Sequence, residues 1–398
     1  MPVNSAQSFH PPRRTLMGPG PSDVSARVLG ALSRPTIGHL DPAFIGLMDE
    51  VKALLQFAFQ TRNELTLPVS APGSAGMETC FVNLIEPGEK VIVCQNGVFG
   101  GRMKENVARL GAAPVMVVDA WSQPVDLAKV KRAIAENPDA VAIAFVHAET
   151  STGVESDAAA LCALAREAGM LSIVDAVTSL GGIKVAVDAW GADAVYSGTQ
   201  KCLSSIPGLS PVTFSERAAG RMRKRKSPVQ SWFLDLNLVM GYWGGASRRA
   251  YHHTAPINAV YALHEALLVL KEEGLEASWA RHRRNHEALR AGVEAMGLKL
   301  PVAETARLPQ LNLVSVPGGI DEGQVRAELL ERNGLEIGAG LGELAGKAWR
   351  IGLMGYGSNE ANVRLCLSAL ETALLSQGAR IEPGAAAPAA NRVYARAR

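Results

Sequence analysis

The stretch Asp157-Ala-Ala-Ala-Leu-Cys-Ala-Leu-Ala-Arg-Glu-Ala-Gly-Met-Leu-Ser-Ile-Val-Asp175 holds a helical segment, a stop and a strand. The segment to Ala168 is amphipathic, and Gly169 after it is a natural helix end. Leu171-Ser-Ile-Val174 is a short apolar run of strand length that ends on a carboxylate. Working outward, the same alternation continues. Lys90-Val-Ile-Val-Cys94, Pro114-Val-Met-Val-Val118, Ala140-Val-Ala-Ile-Ala-Phe-Val146 and Ala194-Val-Tyr196 read as further buried strands, and Asp126 to Asn137 as another helix. Near-continuous apolar strands alternating with helices predict an α/β fold whose mostly parallel sheet is covered by helices on both faces.

Upstream, Asp41 and Pro42 suit the cap and first position of a helix that carries Phe44, Leu47, Met48, Val51, Leu54, Leu55 and Phe59 on one face. Beyond about residue 257 the pattern changes to long helices, Ile257 to Glu273 and Leu275 to Met296. A mixed segment follows: Leu311-Asn-Leu-Val-Ser-Val316, a helix near Gln324 to Asn333, Trp349-Arg-Ile-Gly-Leu353 and a helix near Asn359 to Leu375. The expected division is an N-terminal arm over 1–14, a large domain over 15–274 and a smaller α+β domain over 275–380. The Pro- and Ala-rich residues 381–398 are expected to be a disordered tail.

The chain has 398 residues, 47% hydrophobic and 20% charged, enough for two substantial cores. Its 40 basic and 38 acidic residues nearly cancel, so nucleic acid and acidic membranes are not expected partners and a small molecule is. The five cysteines are scattered without a Cys-x-x-Cys pair, there is no apolar core of signal-peptide length near Met1, and no run approaches a membrane span. A cytoplasmic protein is expected.

Asp175 ends its strand at the edge where open α/β sheets bind ligands. It reads either as a local cap or as a partner for a cationic ring nitrogen. Lys201 lies 26 positions downstream in Tyr196-Ser-Gly-Thr-Gln-Lys201, another strand and turn reaching the same edge. It reads either as a solvated lysine or, if desolvated there, as a nucleophilic amine. Ser70-Ala-Pro-Gly-Ser-Ala-Gly76 feeds a helix; its amides suit a phosphate, although Ser74 could simply cap the turn. His147 could line the same edge or be an ordinary strand-end histidine. Arg350 interrupts an apolar strand and suits either a salt bridge or a bidentate grip on a substrate carboxylate. Tyr251-His-His-Thr254 lacks a third metal ligand, so no metal is expected. The basic run Arg221-Met-Arg-Lys-Arg-Lys226 reads as a solvated helix end, with nucleic-acid binding the alternative. Gly338-Ala-Gly-Leu-Gly342 does not complete a dinucleotide fingerprint, because Glu343 follows.

Together these stretches resemble the class V aminotransferases of the pyridoxal 5′-phosphate (PLP) fold-type I superfamily, in particular alanine–glyoxylate and serine–pyruvate aminotransferases. The likeness runs from Gly18-Pro-Gly-Pro21 to about Leu375. It is most specific in Phe59-Gln-Thr-Arg-Asn63, Ser151-Thr-Gly-Val154, Val174-Asp-Ala-Val177 with Ser179-Leu-Gly-Gly182, Tyr196 to Lys201, Tyr251-His-His-Thr254 and Arg350-Ile-Gly-Leu353. The resemblance implies a seven-stranded sheet, PLP held by Lys201 as a Schiff base, and Asp175 at the pyridinium nitrogen. It implies Val177 and Phe99 against the ring, Thr150 near the ring hydroxyl, and Gly73, Ser74 and Gln200 at the phosphate. Arg350 would hold the substrate carboxylate. Tyr251 and Thr254 would reach the phosphate from the second subunit of a homodimer, with the N-terminal arm wrapped around it. The sequence departs from the pattern at Phe99, often Trp in the family, and at Ser74, where some relatives have His. The implied activity is ping-pong transamination between a small amino acid (alanine or serine) and a 2-oxo acid (glyoxylate, then pyruvate). The rival within the superfamily is a cysteine desulfurase-like lyase, for which Cys366 is the one thiol in the predicted small domain.

Overall fold

The computed structural model describes residues 7–244 and 249–396. Its centre is a seven-stranded sheet in the order Leu65–Val69, Ser210–Phe214, Ala194–Tyr196, Leu171–Asp175, Ala140–Val146, Lys90–Gln95, Ala113–Val118. Only Ser210–Phe214 runs against the rest. The sheet and its helices are the mostly parallel architecture that the apolar runs predict. Phe145, Ile173, Val174 and Val195 are fully buried, which is why the central strands alternate so little.

The flanking helices begin where the sequence supplies caps. Asp41 accepts from Ala43 N at 2.8 Å to open Pro42–Phe59, and Asp157 accepts from Ala160 N at 3.0 Å to open Ala158–Glu167. The basic run does not stand free. Arg221 Nε donates to Leu84 O at 2.6 Å, and Arg225 Nη1 donates to Asn83 O and Ile85 O at 3.1 and 3.0 Å. These cations therefore satisfy carbonyls at the C-terminal end of the helix Gly73–Leu84.

The C-terminal part carries a four-stranded sheet, Thr15–Met17, Leu335–Ala339, Ala348–Gly352, Leu311–Ser315, over a second apolar cluster that includes Trp349, Ile351 and Leu370. Thr15–Met17 pairs with Leu335–Ile337, so the first strand joins the smaller sheet, whereas the sequence reading assigned residues from 15 onward to the larger unit. Residues 381–398 also differ from expectation. Ala386–Arg396 is a helix that buries Ala386, Ala389, Ala390 and Tyr394 against the helices Leu275–Ala295 and Glu360–Ser376. Composition misled here, because small alanines three and four apart form a face that lets helices approach closely. Residues 397 and 398 lie outside the described residues, as do 1–6 of the expected arm; 7–14 have no regular structure. Among the described residues no helix is long and apolar enough to cross a membrane.

Candidate active site

Three parallel strands bring the site together. Register pairs Val146 with Asp175 and Asp175 with Tyr196, so the residues that end these strands converge on one sheet edge. There they line a half-open pocket of about 170 Å³. Its wall contains eight of the residues singled out from sequence, Gly73, Ser74, Phe99, Thr150, Asp175, Val177, Gln200 and Lys201.

Asp175 is 3% exposed. One carboxylate oxygen accepts from Tyr196 Oη at 2.7 Å and the other from Val177 N at 2.9 Å. Burial pushes its carboxyl up to about 7 against the pull of those two hydrogen bonds. The aspartate does cap its own turn, as the plainer sequence reading had it, and it also faces the cavity. Lys201 is no surface lysine. Burial lowers its ammonium to about 8, and Nζ donates to the carbonyl of Pro19. The segment around Pro19 is fastened to the lysine turn by Ser22, whose amide donates to Gln200 O at 2.9 Å and whose hydroxyl donates to Lys201 O at 2.7 Å. Gly20, at φ +106°, sits so close that a Cβ there would lie 2.2 Å from Nζ.

The helix Gly73–Leu84 starts after Pro72 with no side-chain cap. Ser74 lies inside its first turn, so the alternative in which Ser74 caps it does not hold, and Gly73 and Ser74 line the cavity wall. Gln200 Oε1 is buried without a partner among the described residues.

Arg350 is buried beside the site and does not line the cavity. Its Nε donates to Ala339 O at 2.7 Å and its Nη1 to Thr150 O at 3.3 Å, and burial lowers its guanidinium while Glu149 opposes the shift. Tyr251 and Thr254 are not brought to the cavity within one chain. Tyr251 is 62% exposed and leans on the His39 ring at 5.0 Å. His253, two residues further on, bonds Ser70 Oγ at 2.7 Å and His252 Nδ1 at 2.7 Å, so the histidine pair is engaged with its neighbours. His147 lies between two cavity-lining residues, Val146 and Ala148, and packs edge-to-face on Trp190 at 5.1 Å.

Seven other lining residues were not singled out from sequence, Tyr196 and Arg102 among them. Tyr196 was quoted as a strand end and as part of the lysine motif, and its place at the end of a strand beside Asp175's was the available signal. Arg102 also lines the cavity, with its guanidinium 4.7 Å above the Phe99 ring, and its position one helical turn after Phe99 could have suggested it.

Residues 24–360 match the model of the family described as aminotransferase class-V. The fold superposes with a TM-score of 0.95 on ureidoglycine–glyoxylate aminotransferase from Bacillus subtilis, 41% identical, covering 98% of this chain and all of that one. Alanine–glyoxylate aminotransferase from Nostoc sp. superposes at 0.91 with 44% identity over 93% of this chain and 97% of that one. Alanine–glyoxylate aminotransferase from Callithrix jacchus is 38% identical over 91% of this chain and 88% of its own length. The chain belongs to the class V aminotransferases, enzymes whose cofactor is PLP.

Proposed function

We propose that this protein catalyses ping-pong transamination between a small amino acid, alanine or serine, and a 2-oxo acid, glyoxylate ahead of pyruvate. The observation that carries the reading is the meeting of Asp175 and Lys201 in one pocket that also holds an uncapped helix N-terminus.

The residues present fit PLP. The N-terminus of the helix Gly73–Leu84, which has no side-chain cap, with the Ser74 hydroxyl and the donor –NH2 of the Gln200 amide, suits a phosphate dianion. The buried Asp175 carboxyl, pushed up to about 7, is the partner that a ring N–H⁺ would keep ionised. Val177 and Phe99 offer apolar faces to the ring, and Thr150 a hydroxyl to its edge. When bound, PLP supplies an electron sink for the pair left as the substrate α-hydrogen departs.

The chain's own residues do the rest. Lys201 would hold the cofactor through Nζ. Its lowered pKa leaves a usable share of free amine near neutrality, so Nζ, when released, would be the base placed to take the proton from the substrate α-carbon. Arg350 fixes the substrate carboxylate after turning from its backbone partners, and Asp175 holds charge on the ring nitrogen. Tyr251 and Thr254, exposed in the single chain, complete the phosphate site from the second subunit of a homodimer. Glyoxylate as acceptor is supported by the names of all three relatives above. A second donor reading, ureidoglycine, is favoured by the superposition at 0.95. The desulfurase-like reading has no support from Cys366, which is fully buried in a helix with its thiol pushed up to about 12 by burial. Five buried free thiols suit a cytoplasmic setting.

The test is an absorbance spectrum with added PLP, before and after borohydride, followed by peptide mapping and a donor–acceptor panel. A reduced adduct on Lys201 and turnover with glyoxylate are expected. Absence of any chromophore, or parental turnover by Lys201→Ala, overturns the proposal.

A further inference from the structure

We propose that Glu149 is a positioning residue, a helix cap supplied from distant sequence that sets Phe99 in the cavity wall. It rests on the reading above only in taking Phe99 to face the cofactor ring.

The helix Val98–Arg109 starts after Gly97 with no side-chain cap of its own, so its leading amides need partners from elsewhere. They find them in the short hairpin that follows the strand Ala140–Val146. Phe99 N donates to Glu149 Oε2 at 3.1 Å, and the Gly100 amide also points to this carboxylate. Val98 N donates to Ser151 Oγ at 2.9 Å, and that hydroxyl in turn donates to Glu149 Oε1 at 2.6 Å. Ser151 N adds a further bond to Oε1 at 3.0 Å. One buried carboxylate, 0% exposed, therefore organises the whole first turn, where the helix dipole also favours negative charge. The close approach depends on Gly97. A Cβ there would lie 2.4 Å from Ser151 Oγ and 2.5 Å from Glu149 Cδ.

Placement explains why such a costly burial is useful. Phe99 lines the cavity from the turn that Glu149 holds. Thr150, the next residue after Glu149, lines the same cavity and accepts from Arg350 through its carbonyl. Glu149 thus ties two walls of one site, and it reaches the chemistry only through them.

The test compares Glu149→Gln, Phe99→Ala, the double variant and Ser151→Ala. Hydrogen exchange of the cofactor-free protein is measured over the peptide carrying Val98 to Gly100. PLP affinity and the visible circular dichroism of the loaded enzyme are measured alongside. Glu149→Gln is expected to speed exchange in that peptide and weaken PLP binding roughly tenfold, as the loss of a cap implies. It should add nothing to the weakening in the Phe99→Ala background. Ser151→Ala, a smaller change for a chain in which Glu149→Gln does not fold, should give a roughly threefold loss of the same kind. Unchanged exchange at Val98 to Gly100 overturns the cap, and additive losses in the double variant overturn action through Phe99. A parent chain that binds no PLP would instead overturn the functional reading and leave the exchange result standing.

Discussion

Tyr196 Oη donates to Asp175 Oδ2 at 2.7 Å, across a parallel strand pair that puts the two residues in register at the sheet edge. The hydroxyl is itself buried and its pKa is raised well above normal, first by burial and then by the Asp175 charge, so it stays a donor throughout the ordinary pH range. It is therefore a fixed dipole that favours the ionised carboxylate. Tyr196→Phe removes that donor. In the cofactor-free chain the Asp175 carboxyl then rises above about 7, and the acid limb of the pH profile of PLP binding is expected to move to higher pH by up to a unit. An unshifted profile measured from pH 5 to 9 would show that the hydroxyl does not act on Asp175.

The same carboxylate is a liability when the cofactor is absent. Its folded pKa, about 7, lies above its ordinary 3.8, so the folded chain binds the extra proton between those values. Stability contributed by the protonated form is complete below about pH 4 and is lost as pH rises through 7. Asp175→Asn has no such proton to lose. Cofactor-free Asp175→Asn is expected to gain on the parent as pH rises from 4 to 8, by up to about 4 kcal/mol. Urea melts of both proteins across that range check it.

Gly20 shows how tightly the N-terminal segment and the lysine turn share space. At φ +106°, with a Cβ falling 2.2 Å from Lys201 Nζ, Gly20→Ala must push the amine off its Pro19 acceptor and strain the backbone by about 1–2 kcal/mol. The borohydride adduct on Lys201 is expected to fall well below that of the parent at equal PLP, with a modest drop in Tm. Full labelling by mass spectrometry would show that the lysine tolerates displacement.

Much of this site was legible because its parts end strongly patterned elements. Asp175 and Lys201 are polar residues closing apolar runs, and a parallel sheet carries such ends to one edge. What sequence could not supply was pairing. Tyr196 meets Asp175 only through strand register, and the Pro19 carbonyl reaches Lys201 from 182 positions away as a backbone group that any residue would provide. The C-terminal segment failed for another reason. Its alanines look like filler until another helix is there to receive them.

That received helix gives a direct stability test. Tyr394 is buried and donates to Asn285 Oδ1 at 2.9 Å between Ala386–Arg396 and Leu275–Ala295. Tyr394→Phe leaves Asn285 short of a partner and is expected to cost about 1 kcal/mol. Ending the chain after Gly384 removes Ala386, Ala390 and Tyr394 from the second apolar cluster and should cost several times more, roughly 3 kcal/mol or above. Equal Tm for parent and truncated chain would mean that the helix adds nothing to the fold.

His282 makes the fold acid-sensitive at the contact between the helix Leu275–Ala295 and the loop after Arg350's strand. It is fully buried, its Nδ1 lies 2.7 Å from Ser278 O, and its Nε2 accepts from Gly355 N at 2.9 Å. Those partners require Nδ1 to carry the proton and Nε2 to be bare, a neutral ring. Burial accordingly lowers its pKa to about 4 from 6.5. The folded state resists a proton that the unfolded chain accepts, so its stability is complete above pH 6.5 and declines as pH falls toward 4, by up to about 3 kcal/mol. His282→Gln can still accept from Gly355 but cannot ionise. It is expected to be less stable than the parent at pH 7, through imperfect packing, yet to lose less between pH 6.5 and 4.5. Parallel pH dependence of the two proteins in denaturant melts would locate the acid sensitivity elsewhere, with His253 and His286, whose pKa values burial also lowers to about 4, as the next residues to replace.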